Sequence, residues 1–233
     1  MKKTKIFSLC TVFLIVPATL LLLRNAGGKT YYLTALLLMG EILLPFFLSF
    51  EERKPQAREL AVLAVLCAIC VGGRAAFGFL PNFSPIAGLI LIAGSVFGPE
   101  SGFLVGAVSM LASNFVFGQS MYTPFQMFAF GMTGFAAGLV FAGGRLPKKK
   151  LPMALFGAVF YFLVTGPLLD SSVLLLAVDA AQFGWKIYLS GVPVNLTQAA
   201  CTFLTVWFLS EPMLEKLERI RIKYGMMEGT DAV

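Results

Sequence analysis

The chain has 233 residues, of which 58% are hydrophobic and only 13% are charged, and it carries a formal net charge of +6. Soluble globular domains are less apolar and about a quarter of their residues are charged, so this composition, with a mean hydropathy of +0.84, excludes that class. Histidine is absent, which excludes imidazole as a general base, as the partner of a serine nucleophile and as a ligand to haem or metal.

Long apolar runs follow one another along the chain without alternating polar and apolar positions. Because lipid offers the backbone no hydrogen-bond partner, such runs predict membrane-spanning helices rather than a barrel. We predict eight of them, at residues 6–23, 31–50, 57–79, 86–97, 102–117, 123–142, 151–169 and 192–209. The predicted fold class is therefore an all-α polytopic membrane protein.

Two stretches depart from a simple spanning helix. Residues 86–97 are too few to cross a hydrocarbon layer of about 30 Å, which predicts a distorted or half-buried helix. Residues 170–190 mix apolar and charged side chains, which predicts an outer loop with an amphipathic piece, either as a cap over a cavity or as an ordinary interfacial helix.

The basic residues indicate an orientation, because cytoplasmic loops retain Lys and Arg. If the N-terminus is inside, all but four of the 18 basic residues fall on the inner side, the outer ones being Arg24, Lys29, Arg74 and Lys186. We therefore predict a multi-pass protein of the cell membrane with both termini cytoplasmic. This topology accounts for the positive charge, and no nucleic-acid partner is expected.

No cofactor is expected from the remaining motifs. The four cysteines, Cys10, Cys67, Cys70 and Cys201, lie in apolar segments and are predicted to be packing residues. Cys67 and Cys70 form a CxxC, but no second ligand pair completes a zinc site. The GKT at residues 28–30 lacks the first glycine of a phosphate-binding loop, so any ATP dependence would have to come from a partner.

Small residues recur at helical spacing in two places. The first set predicts close packing of helix backbones; it comprises Gly94, Gly98, Gly102, Gly106, Gly134 and Gly138. The second forms a stripe along one helix; it comprises Ala57, Ala61, Ala64 and Ala68. This stripe could dock internally or present a flat face to another helical subunit, and the spacing favours neither.

Polar side chains collect near the predicted outer mouth, around the turn at residues 118–122. Amides and hydroxyls carry donors and acceptors without permanent charge, and aromatic rings supply flat apolar walls, as a pocket for a polar small molecule requires. The candidate substrate-binding residues are Arg74, Asn114, Gln119, Tyr122, Gln126, Trp185 and Asn195. The alternatives are an aromatic belt with a polar turn and, for Arg74, a side chain that snorkels to the interface.

Two regions carry a resemblance to a known family. Residues 73–141, with the strings GPE-x-GFLVGA and FGQ-x-x-x-TP-x-QM, and residues 191–220 resemble the substrate-binding S component of energy-coupling factor transporters, which are ABC-type vitamin importers. The resemblance covers most of residues 57–224. It implies a six-helix core at residues 57–209, and so divides the chain into an additional transmembrane hairpin at 1–56 and a core with a basic tail at 57–233.

The resemblance also implies a function and partners. An S component has no catalytic residues; it binds a vitamin-type micronutrient from outside, and a transmembrane coupling subunit with two cytoplasmic ATPases drives import. The family's docking residues map onto Ala57, Ala61, Ala64 and Ala68. Nickel and cobalt relatives depend on a histidine near the N-terminus that this chain lacks. The region is similar to members proposed to carry cobalamin, which favours cobalamin or a related corrinoid, although the candidate pocket residues would equally suit a smaller heterocyclic vitamin.

The sequence leaves two other classes of protein open. Glu41 and Arg74 could be ion-coupling groups of a self-sufficient secondary transporter of a small organic solute. A membrane enzyme, with Glu41 or Asp179 as a reacting carboxylate, is disfavoured because the chain shows no acid/base constellation.

Overall fold

The computed structural model describes residues 55–120, 122–176 and 184–224, together with residues 37, 40, 41, 43–48, 50 and 51. Within the three long ranges every regular element is helical. The elements are α1 Ala57–Ala76, α2 Ile86–Phe117, α3 Thr123–Ala137, α4 Lys150–Phe160, α5 Gly166–Leu176 and α6 Lys186–Lys223. Five-residue π-helical segments, Gly138–Ala142 and Tyr161–Thr165, follow α3 and α4 without a break. The predicted span 6–23 and much of 31–50 lie outside the described residues.

Five stretches of the described chain are long and apolar enough to cross a membrane. They are Ala57–Ala76, Ile86–Phe117, Thr123–Ala142, Lys150–Val173 and Lys186–Lys223. The prediction of an all-α polytopic membrane protein is confirmed. Helices satisfy their own backbone hydrogen bonds, which is what a segment surrounded by lipid requires.

Helix α2 is broken near its middle. Gly98 has φ 85° and ψ 177°, a conformation open to glycine and strained for other residues, and Pro99 follows it. A Cβ built on Gly102 would lie 2.7 Å from the Cα of Gly94, whereas eight residues of a continuous helix rise about 12 Å. The two halves of α2 therefore fold back on each other, and they correspond to the separately predicted segments 86–97 and 102–117.

The first half of α2 lies at the centre of the bundle, with every residue from 86 to 97 buried. Its short length is tolerated because protein, rather than lipid, surrounds it. Both halves pack against α3 backbone to backbone, and a Cβ on Gly94 or on Gly102 would collide with the carbonyl of Gly134. The close packing predicted from the glycine spacing is confirmed.

The predicted outer loop at residues 170–190 was wrong at both ends. Helix α5 continues to Leu176 and α6 begins at Lys186, while residues 177–183 lie outside the described part. Asp170 suggested a loop because a carboxylate is costly in a spanning helix. In the structure it accepts a hydrogen bond from Asn195 on α6, with Nδ2 2.8 Å from Oδ2, and this contact allows the helix to continue.

Helix α6 also extends well past the predicted end at residue 209. Its last turns are amphipathic, with Leu214 and Leu217 buried and the carboxylate of Glu218 paired with Lys148 at 3.0 Å. Helix α1, in contrast, ends at Ala76, three residues before the predicted end. The long α6 joins the two ends of the bundle.

The bundle has two chemically different ends. At one end, called the basic end here, Arg58 lies 5.9 Å from the ring of Tyr224, and this end also carries residues 145–150 and the last turns of α6. The opposite end carries Arg74, residues 118–120 and 122 of the turn between α2 and α3, and Trp185. We call it the Arg74 end.

Helical residues among 37–51 pack against the bundle through aromatic rings. The ring of Phe46 stacks on that of Phe103 with centroids 3.9 Å apart, and it meets the edge of Phe135 at 5.3 Å. Glu41 lies in the same helical stretch. The division of the chain at residue 56 stays a prediction.

Candidate substrate-binding site

A cavity of about 190 Å³ lies at the Arg74 end, between α1, α2, α3, α5 and α6. Its polar lining comprises Arg74, Ser84, Gln126, Tyr161, Asp170, Asn195 and Gln198. Its apolar lining comprises Ile86, Met110, Phe130, Leu169 and Val194. Polar groups and a few rings thus converge on one space within an apolar bundle, the usual composition of a small-molecule site.

Arg74 is held in place by the second half of α2. Its Nη1 donates to Ser113 Oγ at 2.8 Å and to Asn114 Oδ1 at 3.1 Å. The guanidinium also lies 4.6 Å from the ring centroid of Phe117, a cation–π distance. These contacts fix the guanidinium at the cavity wall, so Arg74 is not a freely snorkelling side chain.

Asn114 links Arg74 to α3. The side chain is only 3% exposed, and its Nδ2 donates to Gln126 Oε1 at 2.6 Å and to Thr123 Oγ1 at 3.0 Å. Its oxygen accepts from Arg74 on the other side. A buried network of this kind orients its members, because each bond is costly to leave unmade away from water.

Asp170 and Asn195 form the opposite wall. Two glycines make room for this pair, since a Cβ on Gly166 would lie 2.5 Å from the Asn195 amide carbon and one on Gly191 would collide with the Asp170 carboxylate. The amide of Asn195 is 6% exposed. The pair therefore depends on close contact between α5 and α6.

Several polar groups of the lining have hydrogen-bonding capacity left over. The hydroxyl of Ser84 is buried without a partner. The Tyr161 hydroxyl, the Gln198 amide and the Gln126 Nε2 form no hydrogen bond with another described residue. A buried hydroxyl without a partner, as at Ser84, is costly inside a bilayer protein, and the open bonding capacity of the other three groups suits a ligand that supplies donors and acceptors.

A family model for the S component of ECF-type riboflavin transporters matches residues 54–214, more than two thirds of the chain. The chain belongs to this family. No curated protein and no solved structure gives a significant match. As an S component it is the vitamin-type substrate-binding subunit of an ECF transporter, a membrane assembly in which a coupling T component and ATPases are the partners. The match is of riboflavin type and does not support the expectation of cobalamin.

The S component's cavity includes three of the seven residues predicted from the sequence. Arg74, Gln126 and Asn195 line it directly. Asn114 lies behind the lining and positions two of them. These four side chains come from α1, α2, α3 and α6, so helix packing brings together residues that are far apart in the chain.

The other three predicted residues lie outside the lining. Gln119 donates to the carbonyl of Leu111 at 3.1 Å and accepts from Thr123 at 3.0 Å. Tyr122 and Trp185 are 38% and 70% exposed. Gln119 and Tyr122 belong to the turn at the Arg74 end, where the polar cluster in the sequence made them resemble lining residues.

Four polar lining residues were not predicted. Gln198 lies one helical turn after Asn195, and that spacing could have indicated it. Asp170 was assigned to a loop, which hid its place in a helix. Neither Ser84 nor Tyr161 has a local signal in the sequence. Among the described residues, no three His, Cys, Asp or Glu side chains come together to hold a metal ion.

The alanine stripe lies on the surface of the S component. Ala57, Ala61, Ala64 and Ala68 are all exposed, and the opposite side of α1 is buried. Gly72 continues the stripe, with open space around it. Within the described part of the chain nothing packs on this face, so the interpretation as an internal docking surface finds no support there.

Proposed function

We propose that the S component binds a riboflavin-type vitamin in the cavity at the Arg74 end, and that the coupling subunit and ATPases then drive its import. The observation that carries this proposal is the set of unused polar groups beside aromatic rings. Phe130 and Tyr161 meet edge to face with centroids 6.2 Å apart. A flavin has a flat fused ring with carbonyl and imide groups at one end, which suits rings flanked by donors and acceptors.

Two considerations favour a flavin over a corrinoid. The riboflavin description of the family is the first. The second is volume, because 190 Å³ is already below the roughly 300–1,000 Å³ usual for drug-sized ligands. Cobalamin as a whole is several times larger than riboflavin and would need a far larger cavity.

The distribution of charge supports entry from outside. The basic end carries nine Lys and Arg residues of the described chain, and positively charged ends stay in the cytoplasm. They are Arg58, Arg145, Lys148, Lys149, Lys150, Lys216, Arg219, Arg221 and Lys223. The cavity at the opposite end then faces the outside, and both termini lie in the cytoplasm.

The exposed alanine stripe is the proposed docking face for the coupling subunit. In lipid, helices associate through close van der Waals packing, and small side chains allow their backbones to approach. Ala61 and Ala64 lie at its centre. The face runs along α1 from Ala57 at the basic end to Gly72.

A thermal-shift screen tests the function. Purified chain in detergent is heated with riboflavin, cobalamin, thiamine or biotin, and we expect riboflavin alone to raise the unfolding midpoint. Saturation at a hundred times Kd adds about 2.7 kcal/mol of stability, which corresponds to roughly 5–10 °C for a chain of this size. A shift with cobalamin alone would show a corrinoid binder. No shift from folded protein, with ion-driven uptake into liposomes lacking ATP, would favour the secondary transporter.

Replacing Asn114 with leucine tests the buried network. The change keeps the volume but leaves Arg74 and Gln126 without their shared partner. We expect riboflavin affinity to fall about 10- to 100-fold, since hydrogen bonds to charged groups contribute about 1.5–3 kcal/mol. Isothermal titration measures the effect. Thr197→Val is the control because the Thr197 hydroxyl is exposed and bonds only the Pro193 carbonyl. Equal affinities of the two variants would contradict the network's role.

A further inference from the structure

The charges that line the cavity are balanced. Among the described lining residues the charged side chains are Arg74 and Asp170, one cation and one anion. They form no ion pair within 4 Å, and both line the cavity together with the Tyr161 side chain. A ligand in the cavity therefore meets both signs of charge.

The two charged groups are not equally available. Among the described residues, both side-chain hydrogen bonds of Arg74 come from Nη1 and go to Ser113 and Asn114 on α2, and its guanidinium also lies over the ring of Phe117. From the described part of the chain, the Asp170 carboxylate receives a single hydrogen bond, from Asn195 to Oδ2, which leaves Oδ1 to act as an acceptor. Arg74 attracts an anionic group of a ligand, but the carboxylate counteracts this attraction.

We propose that Asp170 is a specificity-determining residue that makes the cavity select an uncharged vitamin and reject its phosphorylated form. This inference rests on the proposed function and adds the charge of the cargo to it. A phosphate carries up to two negative charges at neutral pH. A phosphate in contact with Asp170 in the cavity wall would meet a charge of the same sign at short range, so the carboxylate disfavours a phosphorylated ligand. An uncharged ligand with N–H and O–H donors gains a hydrogen bond from the same group.

The pair is built into the packing of the bundle. Gly166 and Gly191 each leave the space of a missing side chain for Asn195 and Asp170. Larger residues at either position would displace the carboxylate from the cavity wall. Asp170 is thus held where a ligand would touch it.

A comparison of three flavins distinguishes the effect of the ligand's charge on binding from the effect of its size. We would titrate the purified full chain with riboflavin, its 5′-phosphate and its uncharged 5′-acetate, following the quenching of flavin fluorescence. We expect the acetate to bind within about threefold of riboflavin and the phosphate at least about tenfold more weakly. If the phosphate binds as tightly as riboflavin, or if the acetate is excluded as strongly as the phosphate, the proposal is wrong.

Asp170→Asn then tests the residue itself, since it keeps the shape and an acceptor for Asn195. We expect the ratio of phosphate to riboflavin dissociation constants to shrink at least about fivefold. Glu211→Gln is the matched control, because this carboxylate pairs with Lys150 at the basic end, and the ratio should not change. An unchanged ratio in Asp170→Asn overturns the proposal. If Asp170→Asn does not fold, the titration of the wild type with the three flavins decides whether the cavity rejects the phosphate. Failure of the wild type to bind riboflavin would overturn the proposed function itself.

Discussion

Replacing Gly134 with valine is expected to abolish the folded bundle. A Cβ built on Gly134 would lie 3.0 Å from the Cα of Gly102 and closer still to its carbonyl. Both obstacles are backbone atoms of α2 near its reversal, which cannot move aside as a flexible side chain would. Overpacking a core costs about 1–3 kcal/mol when neighbours can adjust and more when they cannot. We expect a loss of at least about 3 kcal/mol, a large share of a typical folding free energy.

The measurement is the yield of monodisperse protein in detergent and its thermal midpoint. Gly72→Val is the matched control, because Gly72 is also in a helix but has open space where the side chain would go. The control should purify like the wild type. A Gly134→Val protein with an unchanged midpoint would mean that α2 and α3 do not pack through their glycines.

Replacing Ala64 with tryptophan is expected to abolish assembly with the coupling subunit while vitamin binding continues. Ala64 is exposed, so the larger side chain disturbs no internal contact. On a face that packs against another helix, however, it would hold the two backbones apart and remove the van der Waals contacts that stabilise helix pairs in lipid. The expected result is complete loss of the coupling subunit and ATPases from the purified complex, with riboflavin affinity within about threefold of the wild type.

The complete transporter is expressed with a tag on the S component, and co-purification measures how much coupling subunit and ATPase stay bound to it. Val159→Trp is the matched control; Val159 is 54% exposed on α4, away from the stripe, and its variant should retain the complex. If Ala64→Trp also retains it, the coupling subunit docks on another face. If Ala64→Trp loses riboflavin binding too, α1 is disturbed and the position cannot separate the two functions.

The class of the protein and much of its helical organisation could be predicted from the residues. Because lipid offers the backbone no hydrogen-bond partner, a spanning segment must be a helix or a strand of a closed barrel. Apolar runs in which polar and apolar residues do not alternate therefore predict helices. The reversal in α2 was also predictable, because it depends on local properties, the conformational freedom of Gly98 and the missing N–H of Pro99. Glycines at spacing four indicated close backbone packing for the same local reason.

The helix ends and four of the seven polar lining residues were not predictable in this way. Asp170 lowered the local hydropathy and suggested a loop, yet its partner Asn195 is 25 residues away. Trp185, an aromatic ring in the right part of the chain, proved to be exposed, whereas Tyr161 came into the lining from the middle of a helical stretch. A local pattern records neither fact.

The physical reason is the range of the interactions. Helix formation and backbone reversal depend on neighbours within a few residues, and the local sequence shows those neighbours directly. Which polar side chains share a cavity depends on how helices cross. Arg74, Gln126 and Asn195 meet only because α1, α3 and α6 pack around the central half of α2, and the polar groups that remain without partners there are a property of the whole bundle.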